Sequence, residues 1–347
     1  RAVSSREAVV KVGINYDANL KAGLLFNYTR RNLGIKGSRL SLDAKISEYP
    51  ILQAGYRWQT RKDPNLGLRF QGLFNSYPGF RYDTQNQRQD ILAMSYTLLR
   101  LEAYSGLSRN LFLGLGLGLE GRIERQKFFL FNSNARIQLQ PHVNLSLLAN
   151  TLDRQVFPRE GFRLDLHAIY APLGNVRVFN ETGLDTTIRQ LQTNRISFGY
   201  LQTWSPAEVI TFEGFVQAAW SNSSSPQFFQ MFFLGRPVPY LAEYINFSGY
   251  RHMERPASAF AIGGIRLRGE LLSNTFGAIV FNGGYYQQSA YPLGDEGQTL
   301  REAESGKMIG IGTELGYLSP AGPVQINLEY TPDFNRWTMA LSLGYVF

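Results

Sequence analysis

Apolar and polar residues alternate with a period of two along most of this 347-residue chain, and this alternation constrains the fold more than any other feature. Within residues 137–147, one face carries Ile137, Leu139, Val143, Leu145 and Leu147, and the other carries Gln138, Gln140, His142, Asn144 and Ser146. Successive side chains of a β-strand point to opposite faces. The alternation therefore predicts strands with one apolar face and one polar face.

The period-two segments predict about sixteen strands, separated by turn-rich breaks. They lie near residues 8–17, 19–31, 37–47, 49–60, 65–83, 93–106, 109–122, 136–150, 160–172, 193–205, 208–221, 259–273, 276–290, 306–318, 321–332 and 335–347. Most hold roughly 10 to 14 residues, longer than the five or six usual in soluble sheets. An even number of long amphipathic strands is typical of a transmembrane barrel. A soluble β-sandwich, whose strands also alternate, is the alternative.

Composition excludes a helical membrane protein and agrees with a barrel. No stretch approaches the roughly 18 apolar residues that a membrane helix requires. The absence of Cys suits a chain that crosses an oxidising periplasm. We expect a single all-β domain over residues 1–347, a transmembrane antiparallel β-barrel. Short connections, such as those at 17–19, 205–207, 319–322 and 331–334, are expected at the periplasmic end, and long ones at 173–192, 222–258 and 291–305 outside the cell.

The net charge of +8 does not indicate nucleic-acid binding, because Arg and Lys are scattered singly through strand-like segments rather than gathered on one patch. In an outer-membrane protein, such residues meet lipopolysaccharide phosphates or line a lumen. We therefore expect outer-membrane lipid and lipopolysaccharide as partners and no nucleic acid.

A turn motif in the middle of the chain resembles a known family. Asp153, Phe157, Pro158 and Gly161 form the string D-x-x-x-F-P-x-x-G between two predicted strands. This string resembles the mid-barrel signature of the superfamily that contains BamA, TamA and the two-partner-secretion transporters. The terminal strand, with Tyr345 and Phe347, is similar to the closing strand of outer-membrane barrels, whose C-terminal aromatic residue the barrel assembly machinery reads. The resemblance implies the bacterial outer membrane, with the C-terminus on the periplasmic side.

The long loop at about 222–258 departs from that superfamily at its tip. The resemblance implies that this loop folds into the lumen and carries an Arg-Gly-aromatic tip that pairs with acids on the wall. Here the stretch reads Phe247, Ser248, Gly249, Tyr250 and Arg251, with Ser248 in place of the Arg. Together with Phe232, Phe233, Leu234 and Gly235, it is similar to the loop in C-terminal barrels of patatin-like outer-membrane proteins, the type Vd secretion group of Bacteroidetes-like bacteria.

One predicted strand places three charged residues on one face: Arg266, Arg268 and Glu270, with Ile265, Leu267 and Leu271 opposite or flanking. Charges on a lipid-facing surface are costly, so this face is expected to point into the lumen. We predict that the three residues form a charge cluster beneath the long loop. A hydrated lumen wall without such a cluster is the alternative.

The chain contains no recognisable catalytic, cofactor or metal motif. His142, His167 and His252 are separated in sequence, and we expect lumen-wall roles for the first two. No signal peptide opens the chain, so we expect N-terminal soluble domains to precede it in a precursor. The patatin resemblance implies a barrel that anchors, translocates or dimerises an N-terminal lipid-ester hydrolase. The alternatives are a protein insertase or two-partner-secretion transporter, and a passive pore.

Overall fold

The computed structural model describes residues 8–17, 21–60, 65–82, 88–108, 110–126, 135–154, 156–179, 185–190, 192–222, 231–236, 244–289, 291–293, 299–301, 303–319 and 322–344. These residues form 23 strands: β1 (Ala8–Asp17), β2 (Lys21–Arg31), β3 (Arg39–Ser47), β4 (Ile51–Gln59), β5 (Asn65–Tyr82), β6 (Arg88–Gly106), β7 (Leu111–Gln126), β8 (Ala135–Asn150), β9 (Gly161–Ala171), β10 (Gly174–Phe179), β11 (Asp185–Gln190), β12 (Thr193–Ala207), β13 (Ile210–Ser221), β14 (Phe232–Gly235), β15 (Tyr244–Asn246), β16 (Arg255–Ala257), β17 (Ala259–Leu272), β18 (Thr275–Gln288), β19 (Tyr291–Leu293), β20 (Thr299–Arg301), β21 (Glu304–Ser319), β22 (Gly322–Thr331) and β23 (Arg336–Leu343).

Sixteen long strands form a closed antiparallel barrel, which confirms the predicted fold class. Each pairs with its neighbours in chain order, from β1 through β9, β12, β13, β17, β18 and β21 to β23, and β1 and β23 close the ring. The seven short strands lie in the three connections predicted to be long. β10 and β11 form a hairpin that continues the sheet beside β8, β14 to β16 form a small separate sheet, and β19 pairs with β20.

The barrel turns its apolar residues outward, as the alternation predicts. On β7, Leu115 and Leu117 are exposed on the outer surface. The glycines between them face inward, where larger side chains from neighbouring strands fill their space. A Cβ on Gly116 would stand 2.7 Å from Asn144 Oδ1, and one on Gly118 would stand 2.3 Å from His142 Nε2. The glycine stripe therefore accommodates polar groups of the inner wall.

The two ends of the barrel carry different connections, and one prediction about them was wrong. Because the strands alternate in direction, the connections β1–β2 and β22–β23 lie at the same end as the three long loops. The short turns β12–β13 and β21–β22 lie at the opposite end, together with the connection β8–β9. Strand direction, and not loop length, therefore determines which connections lie at the same end of the barrel. Among the described residues, no helix is long and apolar enough to cross a membrane.

Candidate functional site

A three-stranded sheet from the longest loop fills part of the lumen. β14 is its central strand and pairs in parallel with β15, Phe233 opposite Tyr244. On its other side β14 pairs antiparallel with β16, Phe232 opposite Ala257. Phe232, Phe233 and Leu234 are fully buried. The loop is therefore a folded plug, which we call the lumen plug (residues 231–236 and 244–258).

The lumen plug packs against two different parts of the inner wall. Its Phe233 and Met253 join a cluster with residues of β4 to β6, namely Ile51, Leu73, Tyr77, Met94, Tyr96 and Leu98. Its other apolar residues join a cluster with β13, β17, β18 and β21: Phe232, Leu234, Phe247, Tyr250 and Ala257 contact Ala219, Phe260, Ile262, Tyr286 and Met308. These two clusters are the hydrophobic core of the protein, and burial of this apolar surface holds the plug in place.

The tip of the plug has a backbone that only glycine suits. Gly249 has φ of +87°, and a Cβ there would stand 2.9 Å from Thr331 Cβ and 3.0 Å from Thr331 N. Its amide donates to Glu329 Oε2 at 3.0 Å, and the next residue, Tyr250, donates its hydroxyl to Asp333 Oδ2 at 2.7 Å. Burial and this hydrogen bond raise the pKa of Tyr250. The tip thus lies against β22 and the short connection that follows it.

One ion pair between the plug and the wall has the opposite polarity to the expected one. Glu254 belongs to the plug, its side chain is fully buried, and its Oε2 lies 2.5 Å from Arg336 Nη2 on β23. The same Oε2 accepts from the amide of Arg251 at 2.7 Å, while Arg251 itself is exposed. In this pair the plug supplies the acid and the wall supplies the arginine. Ser248, which stands in the expected Arg position, is buried near Gly312 of β21.

Two further arginines of the plug contact wall carboxylates. Arg255 Nη1 lies 2.8 Å from Glu304 Oε1, and its guanidinium carbon lies 4.6 Å from the ring centre of Tyr286. Arg236 Nη2 lies 3.9 Å from Glu329 Oε2, and burial lowers the pKa of Arg236. Both pairs join the plug to β18, β21 and β22. The plug is therefore fastened by charges as well as by apolar packing.

His252 links the plug to the opposite wall. Its Nδ1 lies 3.2 Å from the Arg236 carbonyl oxygen, and its Nε2 lies 3.2 Å from the Pro78 carbonyl oxygen on β5. A neutral imidazole carries one N–H, so it donates to one of the two oxygens. Burial lowers the pKa of His252 to about 4. The neutral ring is therefore the form that the folded plug holds at neutral pH.

The structure accounts for each residue of the mid-barrel turn motif. Asp153 Oδ1 accepts the amides of Arg159 at 2.8 Å and Glu160 at 3.3 Å, which closes the turn. Phe157 is buried and has φ of +50°. Gly161 has φ of +106°, and a Cβ there would stand 2.4 Å from the Thr151 carbonyl oxygen. The motif thus specifies a turn that points Phe157 into the lumen.

The aromatic ring of Phe157 reaches across the barrel mouth to β17, β18 and β21. Its ring centre lies 4.6 Å from that of Phe276 on β18, and the ring lies against Gly316 on β21. The Arg268 guanidinium carbon lies 5.5 Å from the ring centre, and Arg268 Nη2 donates to the Pro158 carbonyl oxygen. The structure therefore brings the turn motif and the predicted charge cluster together.

Two of the three residues of the predicted charge cluster meet acids that the sequence did not single out. Arg266 pairs with Glu213 Oε1 and lies 3.3 Å from Glu314 Oε2, and Arg268 lies 3.9 Å from Glu213 Oε2. In the described part of the chain, Glu270 has no ion pair with either arginine. The pairs join β13, β17 and β21 at the turn side of the lumen.

A polar chamber of about 1120 Å³ lies between the lumen plug and the mid-barrel turn. The plug contributes Arg236 and Ser248 to its lining, and the turn contributes Phe157 and Pro158. Its walls include the charged residues Lys11, Asp17, Arg39, Asp43, Glu213, Arg266, Arg268, Glu314 and Glu329. Positive and negative groups are mixed throughout. Its lining therefore suits a hydrated, nearly charge-balanced space.

Within the described residues, the seam between the first and last strands is the shortest strand pairing of the barrel wall. β1 and β23 pair only through Tyr16 with Leu343 and Asp17 with Ser342 among the described residues, whereas β23 pairs with β22 along its whole length. The Asn15 side-chain amide also donates to the Leu343 carbonyl oxygen at 3.2 Å. Tyr345 and Phe347, predicted as the assembly signal, lie outside the described residues.

Sequence reasoning missed several interior charges. Glu254, Arg336 and Glu120 were not identified. Glu120 on β7 accepts a hydrogen bond from the Tyr96 hydroxyl at 2.7 Å, and its Oε2 lies 2.6 Å from Arg195 Nη2 on β12. One signal was available: Arg336 is the only basic residue of the last strand, directly after a turn. No group of three or more metal-binding side chains occurs within the described ranges.

Comparisons with known proteins agree on the fold. A family model described as the OMP85 superfamily matches residues 3–347. BamA from Haemophilus ducreyi lacking POTRA domains 1-3 is similar with a TM-score of 0.67 at 14% identity, over 99% of this chain and 71% of that chain. CdiB from Escherichia coli is similar with a TM-score of 0.57 at 13% identity, over 99% of this chain and 64% of that chain. CdiB from Acinetobacter baumannii is similar with a TM-score of 0.56 at 11% identity, over 98% of this chain and 60% of that chain. The chain thus spans less than two thirds of either CdiB. No curated protein matches it.

Proposed function

The chain belongs to the OMP85 superfamily, and from this premise we propose that it is the outer-membrane barrel that anchors an N-terminal lipid-ester hydrolase of the patatin type. The observation that carries the proposal is the doubly fastened lumen plug. Two apolar clusters and the ion pairs of Glu254, Arg255 and Arg236 hold the plug to both sides of the wall. A barrel blocked in this way suits anchoring and display better than steady passage of solutes.

The loop tip is the second support. Ser248 stands where the superfamily's insertases and transporters are expected to carry an Arg, and the stretches Phe232–Gly235 and Phe247–Tyr250 resemble patatin-linked barrels. The hydrolytic site would lie in the N-terminal domain. This barrel would position that domain at the membrane, translocate it or pair it with a second copy.

Reading the gene upstream of Arg1 tests this proposal. An α/β domain that carries a G-x-S-x-G nucleophile elbow would support the anchor. Repeated small periplasmic domains would contradict it. Outer membranes that contain the full-length protein should hydrolyse a phospholipid ester, and a variant with Ala in place of the elbow serine should not.

A second candidate is polypeptide insertion or secretion, and the short pairing of β1 with β23 in the described part of the chain favours it. In this reading β1 and β23 separate to admit a substrate strand. A disulfide between Asp17→Cys and Ser342→Cys, which replace directly opposed residues, would then abolish the insertion or secretion phenotype. The matched control joins Asn327→Cys and Ala340→Cys, opposed on the neighbouring pair β22–β23. A seam disulfide that behaves like this control would contradict gating.

The lumen plug opposes a third candidate, a passive pore, because a plugged barrel of this strand number conducts poorly.

Orientation and partners complete the proposal. We place the C-terminus and the mid-barrel turn on the periplasmic side, with the assembly machinery reading the chain's last aromatic residues. Lipopolysaccharide phosphates would meet the basic residues outside the lumen. Protease treatment of intact cells tests the orientation, since the β8–β9 turn should then be protected.

A further inference from the structure

The tip of the lumen plug contacts one hairpin of the wall, β22–β23, through four polar interactions. Arg336 Nη2 lies 2.5 Å from Glu254 Oε2 and 3.4 Å from the Gly249 carbonyl oxygen. The Gly249 amide donates to Glu329, and the Tyr250 hydroxyl donates to Asp333. All of the wall partners fall within residues 329–336. The tip is therefore bound to the last hairpin at the end where β23 begins.

In the part of the chain that the structure describes, the same end of β23 has no strand partner on its seam side. β23 meets β1 only at Leu343 and Ser342, near its C-terminal end. Within the described residues, Arg336 to Leu341 pair with β22 alone. A strand edge with one partner opens more easily than one with two, because each opening breaks fewer backbone hydrogen bonds. On the seam side, this half of the strand therefore depends on contacts other than strand pairing.

The contact of Arg336 with Glu254 has the burial needed for that role. The Glu254 side chain is fully buried, and Arg336 is 17% exposed. The Arg336 guanidinium also lies 5.1 Å from the ring centre of Phe334, which in turn lies 5.2 Å from that of Tyr250. Removing either charge would leave the other buried without its counter-ion, which is strongly unfavourable.

We propose that residues 247–255 of the lumen plug form a latch that holds the first half of β23 in the wall, with Glu254 and Arg336 as its positioning residues. The latch takes the place of strand pairing at this part of the seam. Withdrawal of the plug and opening of the seam are then coupled, since each breaks the same contacts. The inference concerns the barrel alone and holds for an anchor as for a transporter.

Hydrogen exchange of the barrel in lipid nanodiscs tests the latch. The variants are Glu254→Arg, Arg336→Glu and the double charge swap. Arg163→Glu is the matched control, because Arg163 lines the chamber but its side chain is half exposed and pairs with Asp165 on its own strand, β9. In each single variant, amides of residues 336–341 should exchange about tenfold faster or more, while those of β17 stay unchanged. The double swap should restore most of the protection, and the control should leave it intact.

Three outcomes would overturn the latch: unchanged exchange in the single variants, equal acceleration in β17 and β23, or no recovery in the double swap. If Glu254→Arg fails to assemble, the isosteric Glu254→Gln carries the test, because it removes the charge without a change of shape. An assembled Glu254→Gln barrel with normal exchange at residues 336–341 would equally refute the proposal.

Discussion

Replacement of Phe157 by Ala and by Gly tests whether the mid-barrel turn is a strained closure of the lumen. Phe157 is buried at 7% exposure, its ring centre lies 4.6 Å from that of Phe276 in a tilted arrangement, and the Arg268 guanidinium carbon lies 5.5 Å from it. Truncation of a buried Phe to Ala typically costs about 3 to 5 kcal/mol. We therefore expect Phe157→Ala to lower the free energy of unfolding by about 4 kcal/mol, since the ring contacts three adjacent wall strands whose backbones cannot readily close the cavity.

The glycine variant separates backbone strain from lost packing. At φ of +50°, a residue with a Cβ is less favourable than Gly by about 1 kcal/mol. Phe157→Gly should therefore be more stable than Phe157→Ala by about 1 kcal/mol, although Gly is ordinarily the worse residue by a similar amount. Phe70, an exposed residue in the middle of β5, is the matched control, because there the Gly variant should be the less stable one.

Equilibrium urea unfolding of the barrel in lipid vesicles, followed by tryptophan fluorescence and by heat-modifiable migration on gels, measures these differences. If Phe157→Ala is more stable than Phe157→Gly, as is expected of the Ala and Gly variants at position 70, the turn is not strained. A loss below about 1 kcal/mol for Phe157→Ala would refute its role as a packed closure.

Three further predictions concern the chamber and its plug. Arg268→Ala removes the bridge to the turn, so heat-modifiable migration should change and bilayer conductance should rise; if both stay unchanged, the turn does not depend on this arginine. Gly249→Ala brings a Cβ to 2.9 Å from Thr331 and should expose the loop to protease several-fold, whereas Gly34→Ala, with open space around its Cβ site, should not. Burial lowers the pKa of His252 to about 4 from 6.5, so the unfolded chain takes up a proton at a higher pH than the folded chain does. The free energy of unfolding measured by urea titration should therefore fall by up to about 3 kcal/mol as the pH is lowered from 6.5 to 4. A flat pH profile in wild type, or the same slope in His252→Asn, would contradict this.

The sequence predicted the wall of the barrel well, because each wall strand carries its own signal. Period-two alternation depends only on which face meets lipid, so residues such as Leu115 and Gly116 show their orientation without any knowledge of the neighbouring strands. Strand ends were less predictable. β6 begins at Arg88 rather than near 93, and β7 extends to Gln126 rather than 122, since a strand beyond the membrane no longer needs an apolar face.

The lumen was harder to predict, because its contacts join residues far apart in the chain. Arg268 meets Pro158, and Glu254 meets Arg336, across 110 and 82 residues. A polar side chain on an inner strand face has many possible partners, and alternation gives no preference among them. Glu270 illustrates this: it has the same face periodicity as Arg266 and Arg268, yet both arginines pair with Glu213 on the neighbouring strand.

The lumen plug and the mid-barrel turn are held through main-chain groups as well as side chains. This explains how the plug keeps its place without an Arg at position 248. Arg268 donates to the Pro158 carbonyl, Arg336 donates to the Gly249 carbonyl, and the Gly249 amide donates to Glu329. A wall charge that binds backbone does not require a particular side chain opposite it, only a backbone of the right shape. The conformation of Gly249, with φ of +87°, supplies that shape beside Ser248, and Glu254 is the acid that pairs with Arg336. These backbone contacts therefore add to the two apolar clusters and the ion pairs that retain the plug.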